Sequence, residues 1–447
     1  MATQTSAPNR WLIAAAGMIV MICLGTAYSW SSFTQPLIAS FNWSNQTTTW
    51  AFAVAIFSLG WGAVVGGRWQ DSVGPRNVTI VGVILWGVGN LLAGLGTSHL
   101  GAPWLYLTYG VIGGFGNGMA YITPLAMVTK WFPDKRGLAG GMVVMGFGLG
   151  AFFYGFVLKA IGPFQAAAKA ATAFAVAKAA AVKAGTTFDP STYALTPDQV
   201  GAVMGVFVGS GIAFIIIGGL AATLLRNPPP GYTVPGAIAA AASTQTSYTP
   251  TQVLRSPQFY LLWLMLFLNV TAGILIISNA VPIITELTGA AAAVAIPAYG
   301  LVAIFNAFGR FFWGAVSDRI GRNNAFVLIF GLQVVVFFLL AGLHSLPLVL
   351  GAFAIVLLCY GGGFGTMPSF NADYFGTKYL GVNYGMIITA WGFGGLVGPL
   401  IAAKVKDATG SFSGALIPVA VMLLVAMILP FITKKPSAAA VLAATAR

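Results

Sequence analysis

The chain has 447 residues, of which 58% are hydrophobic and 6% charged, with 57 glycines. Such a composition excludes a soluble globular core, because a chain this apolar has lipid as its main solvent. Its net charge of +13 does not point to nucleic acid either, since the basic residues are scattered over short loops rather than gathered on one face.

Runs of about 20 apolar residues are needed for an α-helix to cross a hydrocarbon layer of about 30 Å. In the first part of the chain such runs predict helices over residues 11–33, 48–66, 78–95, 104–128, 138–158 and 200–225. The first is too long and too rich in Trp and Tyr for a cleavable signal, so it is read as mature structure. Between the fifth and sixth runs, residues 160–200 insert an Ala/Lys stretch with Lys169, Lys178 and Lys183 near helical spacing. A solvated or interfacial helix is the expectation there, and a surface that gathers anions is the sharper alternative.

Asn227, Pro228, Pro229, Pro230 and Gly231 then end the sixth run, and an Ala/Ser/Thr-rich stretch makes residues 227–257 a linker between halves 1–226 and 258–447. Six further spans are expected over 259–284, 291–313, 325–343, 347–370, 384–403 and 414–432, followed by a disordered tail from Pro436. The architecture expected is therefore an all-α membrane protein of twelve transmembrane helices.

Basic residues near span ends stay on the cytoplasmic side. With both termini inside, that side holds Arg68, Arg76, Lys130, Lys135, Arg136, Arg226, Arg319, Arg322 and Lys378, among others. The opposite side holds Lys159, Lys404, Lys406 and the lysines of the insertion. Cys23 and Cys359 fall within spans, and His99 and His344 in short outer loops without Cys or carboxylate neighbours at ligand spacing. No metal, cofactor or disulfide is implied, and enzyme chemistry lacks its nucleophile and base. A transporter is the better class.

The halves share a repeat. Gly67-Arg-Trp-Gln-Asp71-Ser-Val-Gly74-Pro-Arg76 follows the second span, and Gly314-Ala-Val-Ser-Asp318-Arg319-Ile-Gly321-Arg322 follows the eighth, with Gly, Asp and Gly at identical spacing. This pattern resembles the signature of the major facilitator superfamily, G-x-x-x-D-x-x-G-[RK]. Pro75 here takes the place of the first copy's basic residue, with Arg76 one place later. The resemblance implies two six-helix bundles, a binding site near the membrane midplane between them, and alternating access by rocking.

A narrower resemblance, to the oxalate-formate antiporter and monocarboxylate porter branch, rests on Tyr28-Ser29-Trp30, on Trp131-Phe132-Pro133-Asp134-Lys135-Arg136-Gly137, on Leu254-Arg255-Ser256-Pro257, on Phe312-Trp313-Gly314 and on Asn383-Tyr384-Gly385.

Charge inside lipid is costly and so is usually functional. Arg310 is the residue that clearly meets this criterion, and Asn306, four residues earlier, shares its helix face. A guanidinium can take both oxygens of one carboxylate. The alternative is that Arg310, four residues before Gly314, snorkels to the inner interface.

The resemblance implies aromatic walls at Tyr28, Tyr121, Tyr360 and Phe364. It also places a second cation, a lysine, where this chain has Trp391. One cation in place of two favours a monocarboxylate over oxalate. Animal monocarboxylate porters carry an aspartate where Asn306 stands, so a proton-binding group is not identifiable. The expected cargo is lactate or pyruvate-like acids, moved by a monomer in the bilayer with a proton. Exchange against a counter-anion is the runner-up, and a transporter-like anion receptor is a distant third.

Overall fold

The computed structural model describes residues 9–234, 247–290, 292–409, 411 and 413–436. Residues 235–246 of the linker expected around 227–257, and the tail beyond Pro436, lie outside the described residues. The first half contains α1 (Arg10–Gly25), α2 (Ser31–Phe41), α3 (Asn45–Val73), α4 (Pro75–Leu105), α5 (Gly114–Trp131), α6 (Arg136–Ala160), α7 (Gly162–Ala184) and α8 (Pro197–Ala222). The second contains α9 (Pro250–Leu254), α10 (Pro257–Thr288), α11 (Ala292–Val302), α12 (Ile304–Ile320), α13 (Arg322–Leu340), α14 (Leu346–Phe375), α15 (Leu380–Thr409), α16 (Leu416–Ala426) and α17 (Leu429–Ile432).

Among the described residues, ten helical runs are long and apolar enough to cross a membrane, and Leu416–Ile432 is a shorter apolar one. One of the ten, Pro75–Trp131, is 57 residues long. It is broken at Gly101 (φ 72°), and Trp104 Nε1 donates back to Leu92 O at 2.7 Å, tying its two limbs together. His99, expected in a loop, lies in the last helical turns before this break.

The first span also departs from a plain helix. At Thr26–Ser29 it tightens to 3₁₀ geometry, which leaves carbonyls behind it to be satisfied from neighbours. Trp86 Nε1 and Thr26 Oγ1 donate to Cys23 O at 3.2 and 2.7 Å, and Asn117 Nδ2 donates to Leu24 O at 3.0 Å. Buried donors thus hold in place the turn that carries Tyr28.

The Ala/Lys insertion is a helix, α7, with one face packed on the first half and the other exposed. Phe164, Ala167, Ala171 and Phe174 recur at helical spacing, are buried, and face α2 and α8. Lys169 and Lys178 lie on the exposed face.

The two signature repeats meet the opposite halves in mirrored fashion. Gly74 (φ 88°) and Gly321 (φ 85°) end α3 and α12 in backbone that favours glycine. Gly67 packs so closely on α15 at Gly381, and Gly314 on α6 at Gly137, that a Cβ would overlap the facing carbonyl oxygen. The aspartates cap the first turns of those same helices. Asp71 accepts from Gly381 N at 3.1 Å and Val382 N at 2.9 Å, and Asp318 accepts from Gly137 N at 2.9 Å and Leu138 N at 2.8 Å.

Orphan N–H groups and the helix dipole make this favourable for a carboxylate. Around the second cap, Arg322 pairs with Asp318 at 2.7 Å and with Asp373 at 2.9 Å, and Arg136 of the first half pairs with Asp373 at 3.0 Å. The halves are latched at the signature end. Replacing Asp71 or Asp318 by alanine is expected to remove a cap worth about 1–2 kcal/mol. Thermal unfolding in detergent would show it as a lower midpoint, and an unchanged midpoint in both variants would mean water replaces the cap without loss.

Candidate functional site: a lone guanidinium between two half-bundles

Arg310 sits at the middle of the interface between halves and is 0% exposed. Its side chain is therefore enclosed by protein on all sides. Its helix, α12, is held against α14 and α6 through glycines, because a Cβ at Gly361 or Gly365 of α14, or at Gly141 of α6, would overlap the backbone of Asn306 or Arg310. Close approach places the guanidinium where both halves touch it.

Three acceptors reach it, all at long range: Asn306 Oδ1 at 3.4 Å from Nε, Val144 O at 3.4 Å from Nη1 and the Tyr28 hydroxyl at 3.5 Å from Nη2. Protein N–H···O bonds normally run near 2.9 Å, and a guanidinium has five N–H donors. Among the described residues no carboxylate lies within ion-pair distance of it. The cation is desolvated and under-bonded.

Rings compensate it in part. The Cζ atom stands 4.9 Å from the Phe364 centroid, 5.4 Å from Phe147 and 6.0 Å from Tyr28. Cation–π contacts of this kind are worth roughly 0.5–2 kcal/mol each, well short of removing a charge from water.

Trp391 is the hub of the aromatic wall, with centroids 4.8 Å from Phe364, 5.4 Å from Phe147, 5.6 Å from Tyr121 and 5.9 Å from Tyr28. Tyr28 and Tyr360 share a hydrogen bond of 3.1 Å across the halves. The structure thus brings Arg310, Asn306, Tyr28, Tyr121, Tyr360, Phe364 and Trp391 into one cluster.

Three members of the surroundings escaped the sequence reading. Phe147 lies in the glycine-rich run of α6, one of 32 phenylalanines with nothing to single it out. Asn269 anchors α14 beside the site by donating to Tyr360 O at 3.1 Å while accepting from Gln333 Nε2 at 2.9 Å. An amide in the middle of the apolar run of α10, facing one in α13, was the available signal. Tyr384 was noted only within Asn-Tyr-Gly, and its hydroxyl turns out to be buried beside that of Tyr121.

Comparison with known proteins places this geometry in context. The family model for the Major Facilitator Superfamily matches residues 15–399, and again 262–446. The oxalate:formate antiporter of Oxalobacter formigenes is 29% identical over 403 residues, covering 89% of this chain and 86% of that protein. Apicoplast pyruvate carrier 1 of Toxoplasma gondii is 26% identical over 479 residues, covering 86% and 82%. Among solved structures, the transporter FucP in the outward conformation superposes with a TM-score of 0.69 at 15% identity, covering 96% of this chain and all of the other.

Proposed function

Since the chain belongs to the Major Facilitator Superfamily, we propose that it carries small monocarboxylates, L-lactate and pyruvate-like acids, across the cell inner membrane by alternating access. Arg310, buried between the halves with no carboxylate partner among the described residues, is the observation that carries this reading. A desolvated cation binds an anion with unusual strength, because the attraction is weakly screened and the desolvation cost has already been met. A monocarboxylate fits because it neutralises the single positive charge. The second charge of oxalate would meet the aromatic face of Trp391.

Proton symport is the mode proposed. With both termini cytoplasmic, as the distribution of basic residues favours, the latched signature end is the inner gate. The functional unit proposed is the monomer. A second reading, exchange against another anion, is favoured by the absence of an acid beside Arg310 among the described residues. Nothing there supplies a proton to ease the return of the empty carrier, and the Oxalobacter relative is an antiporter by name.

Uptake of radiolabelled L-lactate into proteoliposomes separates these. Accumulation driven by an inward proton gradient, without internal anion, is the expected result. Uptake only against internal lactate, formate or oxalate would make the protein an exchanger, and binding without flux would make it a receptor.

A further inference from the structure

Two buried hydroxyls beside Arg310, those of Tyr121 on α5 and Tyr384 on α15, have no hydrogen-bond partner of good geometry among the described residues, and neither has the buried Nε1 of Trp391 two turns further along α15. Their residues are 0%, 1% and 0% exposed. The Tyr121 hydroxyl faces the guanidinium and the Tyr384 hydroxyl, close enough to interact weakly with each but outside the geometry of a full hydrogen bond, and the rings of Tyr121 and Trp391 are 5.6 Å apart.

A buried hydroxyl left unpaired costs about 1–3 kcal/mol, and two such groups beside one under-bonded cation are not a packing solution. Phenylalanine would fill the same volume as either tyrosine without that penalty. The arrangement makes sense if a ligand supplies the missing partners.

From this geometry we infer that Tyr384, with Tyr121, forms a second polar subsite, one that reads an oxygen on the carbon next to the bound carboxylate. The ligand class it selects is 2-hydroxy and 2-oxo monocarboxylates over unsubstituted fatty acids of the same length. This inference rests on the anion-binding reading of Arg310 and adds to it a named determinant of selectivity.

The chemistry is specific. Arg310 offers only donors, which suit the carboxylate. A tyrosine hydroxyl both donates and accepts, so the pair can serve a 2-hydroxyl, which does both, or a 2-oxo group, which only accepts. A plain carboxylate such as propionate would seal the two hydroxyls and the indole N–H in an apolar box with no partner. Sites built to hydrogen-bond a hydroxyl reject the analogue lacking it for this reason.

The location also suits a selectivity role. Tyr121 belongs to the first half and Tyr384 to the second, so a single ligand oxygen bonded to both would be satisfied only while the halves are closed around it.

Competition of propionate and of L-lactate against radiolabelled L-lactate uptake, in proteoliposomes, gives a ratio of apparent affinities. In the wild type lactate is expected to compete at least about tenfold better than propionate. In Tyr384→Phe that ratio is expected to fall towards one, and Tyr121→Phe should do the same if Tyr384→Phe does not reach the membrane folded. A wild-type ratio near one would overturn the inference. So would a full ratio retained in both variants, or affinities for the two acids reduced by the same factor. If lactate is not bound by the wild type, or Arg310→Lys leaves lactate uptake intact, the underlying reading of the site fails instead, so the two failures are distinguishable.

Discussion

Replacing Arg310 by methionine is expected to reduce carboxylate uptake by at least about a hundredfold while leaving the protein as stable as the wild type, or more stable. The two halves of this expectation come from one imbalance. The guanidinium is fully buried, its three hydrogen bonds are 3.4–3.5 Å long, and no described carboxylate balances it. Keeping it there costs several kcal/mol, and an apolar side chain of similar length removes the cost. Asn306 and Tyr28 lose only weak partners.

Carboxylate binding, by contrast, loses the interaction that a lone cation makes with an incoming anion. The wild-type unfolding midpoint should rise on adding L-lactate, since a ligand at a hundred times its Kd adds about 2.7 kcal/mol. The methionine variant should show no rise. Arg310→Lys keeps charge but not the planar fork, so it should bind more weakly than wild type and better than methionine. A large fall in midpoint for Arg310→Met without ligand would identify the residue as a structural tie between halves.

Gly141→Ala is expected to stop turnover by a different route. A Cβ at this position of α6 would overlap Arg310 O and lie 3.2 Å from Phe311 Cα, across the interface between halves. Both are backbone atoms and cannot move aside without shifting α12. The variant should therefore disfavour the arrangement latched at the signature end and populate the opposite opening.

Transport should fall by at least about tenfold, because a carrier needs both states and a bias of about 1.4 kcal/mol already costs that factor. The shift is measurable by labelling. Ser369 is 0% exposed in the latched form, and a cysteine introduced there should react with a polar maleimide much faster when combined with Gly141→Ala. The native Cys23 and Cys359, both buried, provide a silent background. Equal labelling rates would show that α6 and α12 accommodate the methyl group by local repacking.

The parts of this protein that were legible in the sequence are those where polar chemistry interrupts a hydrocarbon background. Arg310 stands out because a charge within an apolar run has no cheap explanation, and the paired repeats stand out because two copies agree in spacing. The structure shows Asp71 and Asp318 each capping a helix of the other half rather than of its own.

What was not legible is which apolar side chains share a surface. Phe147 differs from its neighbours in no sequence property, and its place beside Arg310 follows from Gly25 and Gly150 allowing α1 and α6 to close up. The packed face of α7 was hidden because its contact residues are largely alanines, which barely distinguish one side of the helix from another. Tyr384 lies near the start of its helix, where position alone suggests an interfacial anchor. The depth of its hydroxyl depends on how α15 leans against α3.

The manner in which α7 is attached gives the molecule a built-in pointer. Its buried face contacts helices of the first half, α2, α6 and α8, so it is carried as cargo on one rigid body while the other swings. A dye on Lys178, which is exposed, and a second on the α13–α14 turn would ride on different bodies. The distance between them would report each stroke of the carrier in real time without touching any residue that handles the anion.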